Sequence, residues 1–488
     1  MGTARGLALA AAVLLAGCGG SSGREASNVT LRLGLPLVPT RLDPAKASDL
    51  PSLNVAHELY SGLTRYSGTG VEPDLAQSWE VGQNGQVWTF HLRNGLRWSD
   101  DRPITAQDVR RSWLRALAPA TKAPLAGPDL GIVKGARAYH ATGRGSVGVE
   151  ALDPRTLRVT LQHPIPWLDQ LVAHPIAAAY RPDAYSGPFR LARRLVLERN
   201  LNYWNVGAVK PAKLVLTTTT KGADAILPRG ILPPGLPWVD TASLSEVRAG
   251  NRGGSGWKTL PTLNVGLLWM VTREGALSSS GSRREIADAM RKFLVGALGA
   301  DQLVPRAMPG AQAVDPTRWY RPRVPVGRIP LTVASTLGDD SGWGRATAIT
   351  FPGARGYLAL TPKLVPRLSQ LLRIAGPPAR PGIDLVVLGW SPKIFDAYNL
   401  LDLFPCGSAF NVAEWCDPSY DRLMRQAVRT LDDRSRWEIE RRLIRRLQAA
   451  ALVVPLYMQH EYVHLAPGVR SFSWSPIGFY ELDGMTRS

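Results

Sequence analysis

Residues 84–93 read NGQVWTFHLR, and this stretch decides more of the fold than any other. From Gln86 to Arg93 apolar and polar side chains alternate, which is the pattern of a strand with one buried face. The Asn84-Gly85 dipeptide directly before it is typical of a tight hairpin turn. The stretch therefore predicts an antiparallel hairpin whose second strand covers residues 86–93.

The neighbouring stretches add a helix and further strands. Thr105 can cap a helix, and Asp108 three residues later completes a capping box. Alternating runs bounded by turn residues predict strands elsewhere in the first half of the chain. These elements are strands over 29–38 and 209–218, a strand pair over 149–161 with its turn at Asp153-Pro154, and a helix over 52–63.

The second half of the chain is richer in helices. In the last long helix Leu443, Ile444 and Leu447 belong to an apolar stripe, while the arginines between them face water. Between 299 and 382 proline and glycine are frequent and no clear element is predicted. The predicted elements are helices over 284–298, 418–430 and 435–450, and strands over 383–388 and 453–464. This mixture, without an internal repeat, predicts an α/β architecture.

The first residues carry the marks of an export signal. Arg5 precedes an apolar core over 6–15, and LAGC follows at 15–18. That core is shorter than the about 20 residues a helix needs to cross a bilayer. The LAGC sequence resembles the bacterial lipobox, which implies acylation (palmitate) of Cys18 and removal of residues 1–17. The Gly/Ser-rich residues 18–28 would then form a flexible tether at the outer face of the cell membrane.

The charge and the cysteines narrow the class of protein further. The net charge is +19, but the arginines are scattered and there is no basic tail. We therefore expect no nucleic-acid partner, and expect attraction to anionic envelope polymers instead. Cys406 and Cys416 form an even pair in an exported chain, which predicts a disulfide, with two buried free thiols as the alternative.

Short motifs follow one another in a fixed order along most of the chain. They are 42–44 (LDP), 58–63 (ELYSGL), 73–80 (PDLAQSWE), 88–93 (WTFHLR), 98–100 (WSD), 104–109 (ITAQDV), 187–190 (GPFR), 202–204 (NYW), 384–390 (DLVVLGW), Asn411, Pro418, Tyr420-Asp421 and 454–457 (VPLY). Each motif is weak by itself. Together, over residues 29–480, they resemble the bacterial extracellular solute-binding proteins of family 5, the peptide/nickel class that serves ATP-driven importers.

The resemblance implies a bilobed α/β fold, periplasmic-binding-protein-like, of type II and class C. Lobe I would be discontinuous, covering 29–220, with a signature subdomain at about 55–165, and closing with 453–488. Lobe II would cover 221–452. A hinge between the two lobes would let them close around a ligand held at their interface.

The resemblance also implies where a ligand would bind. Trp390 would form an aromatic wall of the cleft, with packing in the core as the alternative. Ser48 and Asp49 are weaker candidates, for which an ordinary loop role is equally compatible. The full set of predicted ligand-binding residues is Ser48, Asp49, Trp390, Lys393, Asp396 and Asn411.

Lys393 departs from the family's pattern. In peptide-binding relatives an acid stands three residues after the equivalent tryptophan and pairs with the ligand's amino terminus. Here Lys393 occupies that position, and Asp396 matches only the second acid of the pattern. Because a lysine would repel an ammonium group, the sequence favours an anionic, blocked or non-peptide ligand, or a member that has lost transport.

Three motifs that point to enzymes lack the required context. Residues 460–464 spell HEYVH, but in a strand the two histidines stand about 13 Å apart at about 3.3 Å per residue. Zinc, with bonds of roughly 2.0–2.1 Å, cannot bridge them. The glycine motif at 143–148 is followed by a strand rather than a helix, and the GGSSG at 19–23 lies in the tether. We therefore predict no catalytic residue, no metal and no cofactor.

The resulting hypothesis is a lipid-anchored, monomeric receptor that delivers a peptide-like or related small solute to an ABC importer permease. The alternative is an envelope lipoprotein on the same fold that regulates or scaffolds cell-wall or glycolipid assembly without transport. A zinc hydrolase is a remote third interpretation.

Overall fold

The computed structural model describes residues 28–35, 38–218, 223–227, 257–273, 275–287, 303–305, 308–309, 311, 329–336, 358–365, 371, 374, 382–408 and 410–488. The predicted signal peptide, Cys18 and nearly all of the tether lie outside these residues, as does the helix predicted over 284–298 beyond residue 287. Within them, no helix combines the length and the apolar character needed to cross a membrane.

The described part of the chain contains eight α-helices that we number α1 to α8. They are α1 Leu50–Leu59, α2 Ala106–Leu117, α3 Ala126–Leu130, α4 Ala136–Thr142, α5 Leu168–Leu171, α6 Tyr398–Leu401, α7 Pro418–Arg429 and α8 Asp433–Ala450. Residues 280–287 are also helical.

Twenty strands accompany these helices. They are β1 Thr30–Gly34, β2 Thr64–Ser67, β3 Gly70–Pro73, β4 Ala76–Gly82, β5 Val87–Leu92, β6 Val149–Asp153, β7 Thr156–Thr160, β8 Phe189–Arg193, β9 Val196–Arg199, β10 Lys213–Thr217, β11 Ala225–Ile226, β12 Trp257–Met270, β13 Ile329–Thr336, β14 Leu358–Val365, β15 Leu385–Trp390, β16 Val453–Leu465, β17 Val469–Arg470, β18 Ser473–Ser475, β19 Phe479–Glu481 and β20 Thr486–Arg487.

Ten of the strands form one mixed sheet, in the order β14-β13-β15-β12-β16-β11-β1-β10-β9-β8. At its centre β12 and β16, of 14 and 13 residues, run antiparallel to each other. Their ladder is interrupted twice, between Pro261 and Val265, where the extra residues lie in β12, and between Gly266 and Leu267, where the extra residue lies in β16. Strands from the early chain lie on one side of this pair, and β13, β14 and β15 lie on the other.

A second sheet, β4-β5-β7-β6, carries the hairpin predicted from residues 84–93. β4 and β5 pair antiparallel, and Asn84 and Gly85 between them have positive φ angles of 54° and 95°. Trp88 and Phe90 point into the core, where they meet the buried Trp113 of α2. The capping box of Thr105 and Asp108 at the start of α2 is also confirmed.

Buried apolar side chains form three clusters. One fills the space between the four-stranded sheet and α2, and a second packs α1 against β1 and β10. The third packs α7 and α8 against β12 and β15, and it also takes in Leu53, Tyr66 and Ala173 from the early chain. Parts of the molecule that are far apart in sequence therefore share this third core.

A buried arginine joins the early chain to the 202–204 motif and to the closing segment of the chain. One terminal nitrogen of Arg65 donates hydrogen bonds to Tyr203 Oη at 3.1 Å and to Asp483 Oδ2 at 3.0 Å. Its other terminal nitrogen lies 3.6 Å from Glu481 Oε2, and its Nε lies 3.5 Å from Glu72 Oε1. Arg65 is only 7% exposed, and we call this set the Arg65 network.

The motif at 73–80 is tied to the motif at 202–204 in the same region. Asp74 is buried and accepts a hydrogen bond from Trp204 Nε1 at 2.7 Å. The guanidinium of Arg93 lies 3.7 Å from the centre of the Trp204 ring, and its Nε donates to the Asp74 carbonyl at 2.7 Å. The motifs at 73–80, 88–93 and 202–204 therefore pack against one another.

The helix predicted over 52–63 is wrong at both ends. Asp49 accepts a hydrogen bond from Ser52 N and starts α1 at Leu50, with a proline in the first turn. The helix ends at Leu59 because the chain becomes extended at Tyr60. Gly62 then passes close to another segment, where a Cβ would lie 2.5 Å from the Val172 carbonyl oxygen.

The strand predicted over 453–464 is confirmed as β16. The HEYVH motif at 460–464 therefore lies in a strand, where its two histidines are not adjacent on a helical face. The helices predicted over 418–430 and 435–450 and the strand over 383–388 are confirmed as α7, α8 and β15, with small shifts at their ends. The lobe boundaries at 220 and 452 stay predictions.

Candidate functional site

The candidate site begins where β15 ends. Trp390 is its last residue and pairs with Val265 of β12, directly after the first interruption in the β12–β16 ladder. Its indole is partly buried and packs on the edge of the third apolar cluster. Trp390 is therefore neither enclosed in the core nor fully exposed.

The loop over 391–397 is held in one shape by local hydrogen bonds. The backbone N–H of Lys393 donates to Asn399 Oδ1 at 2.9 Å. The N–H of Tyr398 donates to Asp396 Oδ1 at 2.9 Å. These bonds fold the loop back onto the start of α6 and direct the Lys393 side chain away from its own strand.

This loop contacts a segment of the early chain. Lys393 Nζ pairs with the carboxylate of Asp129 in α3, and we call this ion pair the Lys393 bridge. The N–H of Phe395 donates to Gln170 Oε1 at 2.6 Å. The rings of Trp167 and Tyr398 lie 4.5 Å apart between their centres. By the predicted boundaries, all three contacts join lobe II to lobe I.

The acid in this bridge lies in a dry environment. The side chain of Asp129 is 5% exposed, whereas that of Lys393 is 45% exposed. His174 Nδ1 lies 3.8 Å from Asp129 Oδ2, but it accepts a hydrogen bond from Ile176 N at 3.3 Å. Burial lowers the pKa of His174 to about 4, with Asp129 opposing the shift and Lys393 adding to it, and the ring is neutral near pH 7.

Aromatic rings cover the other side of His174. Phe479 lies between Tyr66, whose ring centre is 4.8 Å away, and His174, at 5.7 Å. His57 lies 5.5 Å from the same Phe479 ring. Burial, followed by the charges of Arg65 and His174, lowers the pKa of His57 to about 3. Burial and the nearby Asp129 raise the pKa of Tyr66.

The side chain of Asp396 is buried and points toward α8. It is 1% exposed, and its Oδ2 accepts a hydrogen bond from Arg436 Nε at 3.0 Å. Arg436 is also buried and reaches Asp433 Oδ1 at 2.5 Å. Burial and the charge of Asp396 raise the pKa of Glu440, which lies 3.7 Å from Arg436. Asp396 thus fastens the 391–397 loop to α8.

Asn411 also makes its contacts inside the chain. It is 3% exposed, and its Nδ2 donates to the carbonyls of Phe404, Pro405 and Trp415 at 3.2, 3.2 and 2.6 Å. These bonds hold the loop that the Cys406–Cys416 disulfide closes, and that pairing agrees with the prediction. Asn411 therefore supports the shape of this loop.

The two candidates near the start of α1 lie at its cap. Asp49 Oδ1 accepts from Ser52 N at 2.9 Å, and Asp49 Oδ2 accepts from Thr40 Oγ1 at 2.9 Å. Ser48 is exposed beside it. Of the predicted ligand-binding residues, Lys393 and Asp396 lie on the 391–397 loop, and Trp390 lies at the end of the strand before it.

The sequence interpretation missed the residues opposite that loop. Asp129 follows Gly127-Pro128, and Trp167 follows Pro166, and neither pattern resembles a binding motif. Gln170 lies in α5 and His174 lies on the bend after it, and the two have no distinctive spacing. One sequence feature pointed to these residues. Lys393 replaces the acid of the family's pattern, and a lysine at an interface between lobes is expected to pair with an acid from the other side.

Comparisons with known proteins agree with the fold. The family model described as bacterial extracellular solute-binding proteins, family 5 middle, matches residues 70–230. The chain is 39% identical over 141 residues to the probable deoxycholate-binding periplasmic protein YgiS of Escherichia coli, covering 28% of this chain and 26% of YgiS. It is 34% identical over 194 residues to the periplasmic oligopeptide-binding protein OppA of E. coli, covering 34% of each.

A longer alignment reaches lower identity. The dipeptide-binding protein of Lactococcus lactis is 23% identical over 488 aligned positions, which cover 86% of each chain. The stretches matched at higher identity thus span about a quarter to a third of those curated relatives.

Solved structures match over nearly the whole chain. The unliganded open form of the murein tripeptide binding protein MppA has a TM-score of 0.77 at 20% identity, covering 94% of this chain and 97% of that one. The clavulanic acid biosynthesis oligopeptide binding protein 2 has a TM-score of 0.78 at 22% identity, covering 94% and 95%. The predicted bilobed α/β fold is confirmed by these matches.

Proposed function

We propose that the chain is a lipid-anchored receptor for a peptide-like solute, of the kind described as bacterial extracellular solute-binding proteins of family 5, whose model matches residues 70–230. The solute would be captured between two lobes and passed to the permease of an ABC importer. The relatives named above are binding proteins, and the proposal assigns no catalytic residue to this chain.

One observation carries the proposal. The loop that follows Trp390 meets Asp129, Trp167 and Gln170, which come from a distant part of the chain, through one ion pair, one ring contact and one hydrogen bond. Polar groups and partly buried aromatic rings at an interface between lobes are typical of small-solute sites. In support of two lobes, β12 and β16 connect the two sides of the large sheet.

The solute class follows from the relatives and from the Lys393 bridge. YgiS is named for deoxycholate, OppA for oligopeptides and MppA for a murein tripeptide, and peptides are the commoner chemistry among them. The expected repulsion between Lys393 and a ligand's amino group is weakened here, because Asp129 neutralises the lysine. A peptide with a free amino terminus thus returns to the set of candidate ligands.

Native mass spectrometry and thermal unfolding test the receptor. A solute that stays bound through gentle purification would appear as a discrete added mass on the protein. A ligand present at 100 times its Kd should stabilise the fold by about 2.7 kcal/mol. If di- to pentapeptides, bile acids and sugars all leave the Tm unchanged, and the purified protein carries no added mass, the receptor proposal is wrong.

A second function remains favoured by one feature, the lysine at the position where peptide-binding relatives carry an acid. The protein could act in the envelope without transport, as a regulator or scaffold of cell-wall or glycolipid assembly. Affinity purification from crosslinked cells separates the two. A permease among the captured proteins supports the receptor, whereas an envelope-assembly protein, with no bound solute, supports the scaffold.

The lipid anchor at Cys18 needs its own experiment. Radiolabelled palmitate should be incorporated into the full chain and should be absent from a C18A variant. The same variant should move from the membrane fraction to the soluble extracytoplasmic fraction. A labelled C18A protein would contradict the proposed anchor.

A further inference from the structure

The carboxylate of Asp129 is only partly satisfied. One oxygen receives Lys393 Nζ, and the other, Oδ2, has no hydrogen-bond partner among the residues that the structure describes. With 5% of the side chain exposed, water reaches it poorly. A buried carboxylate oxygen without a donor costs free energy, and it marks a place where a further N–H group would be stabilising.

The nearest titratable neighbour cannot serve as that donor. His174 Nδ1 is close to Oδ2 at 3.8 Å, but it already accepts from Ile176 N and therefore carries no proton. The other groups on this side of Asp129 are the rings of Tyr66, His57 and Phe479, which pack around His174. Lys393 is thus the cation that this buried acid has in the described part of the chain.

The lysine that fills the position is easily displaced. Its side chain is 45% exposed, and it reaches Asp129 across the interface on a flexible stem of four methylene groups. The neighbouring contacts of the loop use Phe395 N and the Tyr398 ring instead. Lys393 can therefore leave without breaking them.

We propose that Asp129 is a binding site for a primary ammonium group, which Lys393 fills in this structure and which the amino group of a solute takes over on binding. The inference rests on the proposed function and names the chemistry that the same site recognises. Lys393 acts as a tethered competitor, so a free ligand amine must displace it.

The donor set favours an ammonium group over a metal ion. The described residues include no group of three or more His, Cys, Asp or Glu side chains placed to hold a metal. An ammonium group offers three N–H donors. It can therefore reach both carboxylate oxygens, including the one that Lys393 leaves without a partner.

Chemical rescue by a small amine tests the site without knowledge of the solute. In K393A the acid is vacated, and ethylammonium should raise the Tm reproducibly and in a saturable way. Sodium at equal ionic strength and ethanol at equal concentration should not. The wild type and the K393A/D129N double variant should show no specific response, and K46A, which removes an exposed lysine elsewhere, should behave like the wild type.

A second measurement connects the site to solute binding. In titration calorimetry, tri-alanine should bind K393A at least 10-fold more tightly than wild type, and N-acetyl-tri-alanine should show no such gain. If K393A does not fold, K393M retains most of the stem and replaces it in both experiments.

Two results would overturn the inference. One is a K393A protein whose Tm does not respond to ethylammonium; the other is a response that persists when Asp129 is also replaced. If the amine stabilises K393A but no peptide binds any variant, the ammonium site stands and the receptor proposal is the one in difficulty.

Discussion

The Arg65 network and the Lys393 bridge both join distant parts of the chain through a cation, but they differ in construction. Arg65 is 7% exposed and contacts Tyr203, Asp483, Glu481 and Glu72. Lys393 has a side chain that is 45% exposed, and its ion pair is with Asp129. A buried cation with several partners forms a permanent contact. A largely hydrated cation with one partner forms a contact that can exchange.

This difference separates the structural part of the molecule from the part where we propose that a solute binds. Around Arg65, Tyr203 and Glu72 of the early chain meet Glu481 and Asp483 of the closing segment. Around Lys393 the contacts are few and lie on a loop. Binding sites are expected in such regions, where local rearrangement costs little.

Replacing Arg65 by Met should give the largest effect. The change leaves Asp483 and Glu481 buried without their cation, and breaking such an arrangement costs about 3–5 kcal/mol. Urea unfolding followed by fluorescence measures this loss of stability. R190A, which removes an exposed pair with Glu198, should cost less than about 1 kcal/mol. Equal losses in the two variants would remove the basis for calling the Arg65 network permanent.

Replacing Arg436 by Met should have the next largest effect, about 2–3 kcal/mol. It leaves Asp396 as an unpaired buried charge. The cost is lower than at Arg65 because the raised pKa of Glu440 keeps that acid protonated and because Asp433 is largely exposed. The same unfolding experiment measures it, with R445A on the exposed face of α8 as the control. An unchanged stability would mean that Asp396 is free to act elsewhere.

The pH dependence of stability should reveal the dry site behind the Lys393 bridge. The unfolded His174 takes up a proton near pH 6.5, but the folded one stays neutral down to about pH 4. Its contribution is therefore complete above pH 6.5 and is lost as the pH falls toward 4. Relative to H174N, whose amide can still accept from Ile176 N, the wild type should lose about 1–2 kcal/mol between pH 7 and pH 5. A constant difference would place His174 in contact with water.

Removing the Lys393 bridge itself should cost least. We expect K393A and D129N each to lower the free energy of unfolding by about 1 kcal/mol or less, because the lysine is hydrated and a small movement of the loop can hydrate the acid. A double-mutant cycle on these two residues measures their coupling. A coupling energy as large as the effect of R65M would mean that the Lys393 bridge is as strong as the Arg65 network.

Local pattern was sufficient to predict much of the fold. Alternation and the Asn84-Gly85 turn predicted the hairpin, and Thr105 with Asp108 predicted the start of α2. The strand around HEYVH at 460–464 followed from its β-branched surroundings. The bilobed architecture was implied by the resemblance of the ordered motifs, taken together, to a known family of binding proteins.

The candidate site was less predictable because its partners meet only in three dimensions. Asp129 lies 264 residues before Lys393, and no local signal connects them. Asp396 looked like a ligand-binding acid, but it contacts Arg436, which belongs to a helix whose other arginines face water. Whether a charged residue is buried depends on which face of its helix packs against the core. The apolar stripe of α8 did not reveal that Arg436 lies on the buried face.

The interrupted ladder between β12 and β16 has a mechanical consequence. A sheet bends most readily where cross-strand pairing is broken, and here the breaks lie at 261–267, immediately beside Trp390. If the two portions of the sheet move against each other, we expect the bend to lie at these breaks. Trp390, which pairs with Val265 at the edge of the first break, would then stay nearly in place while the far ends of the sheet move most.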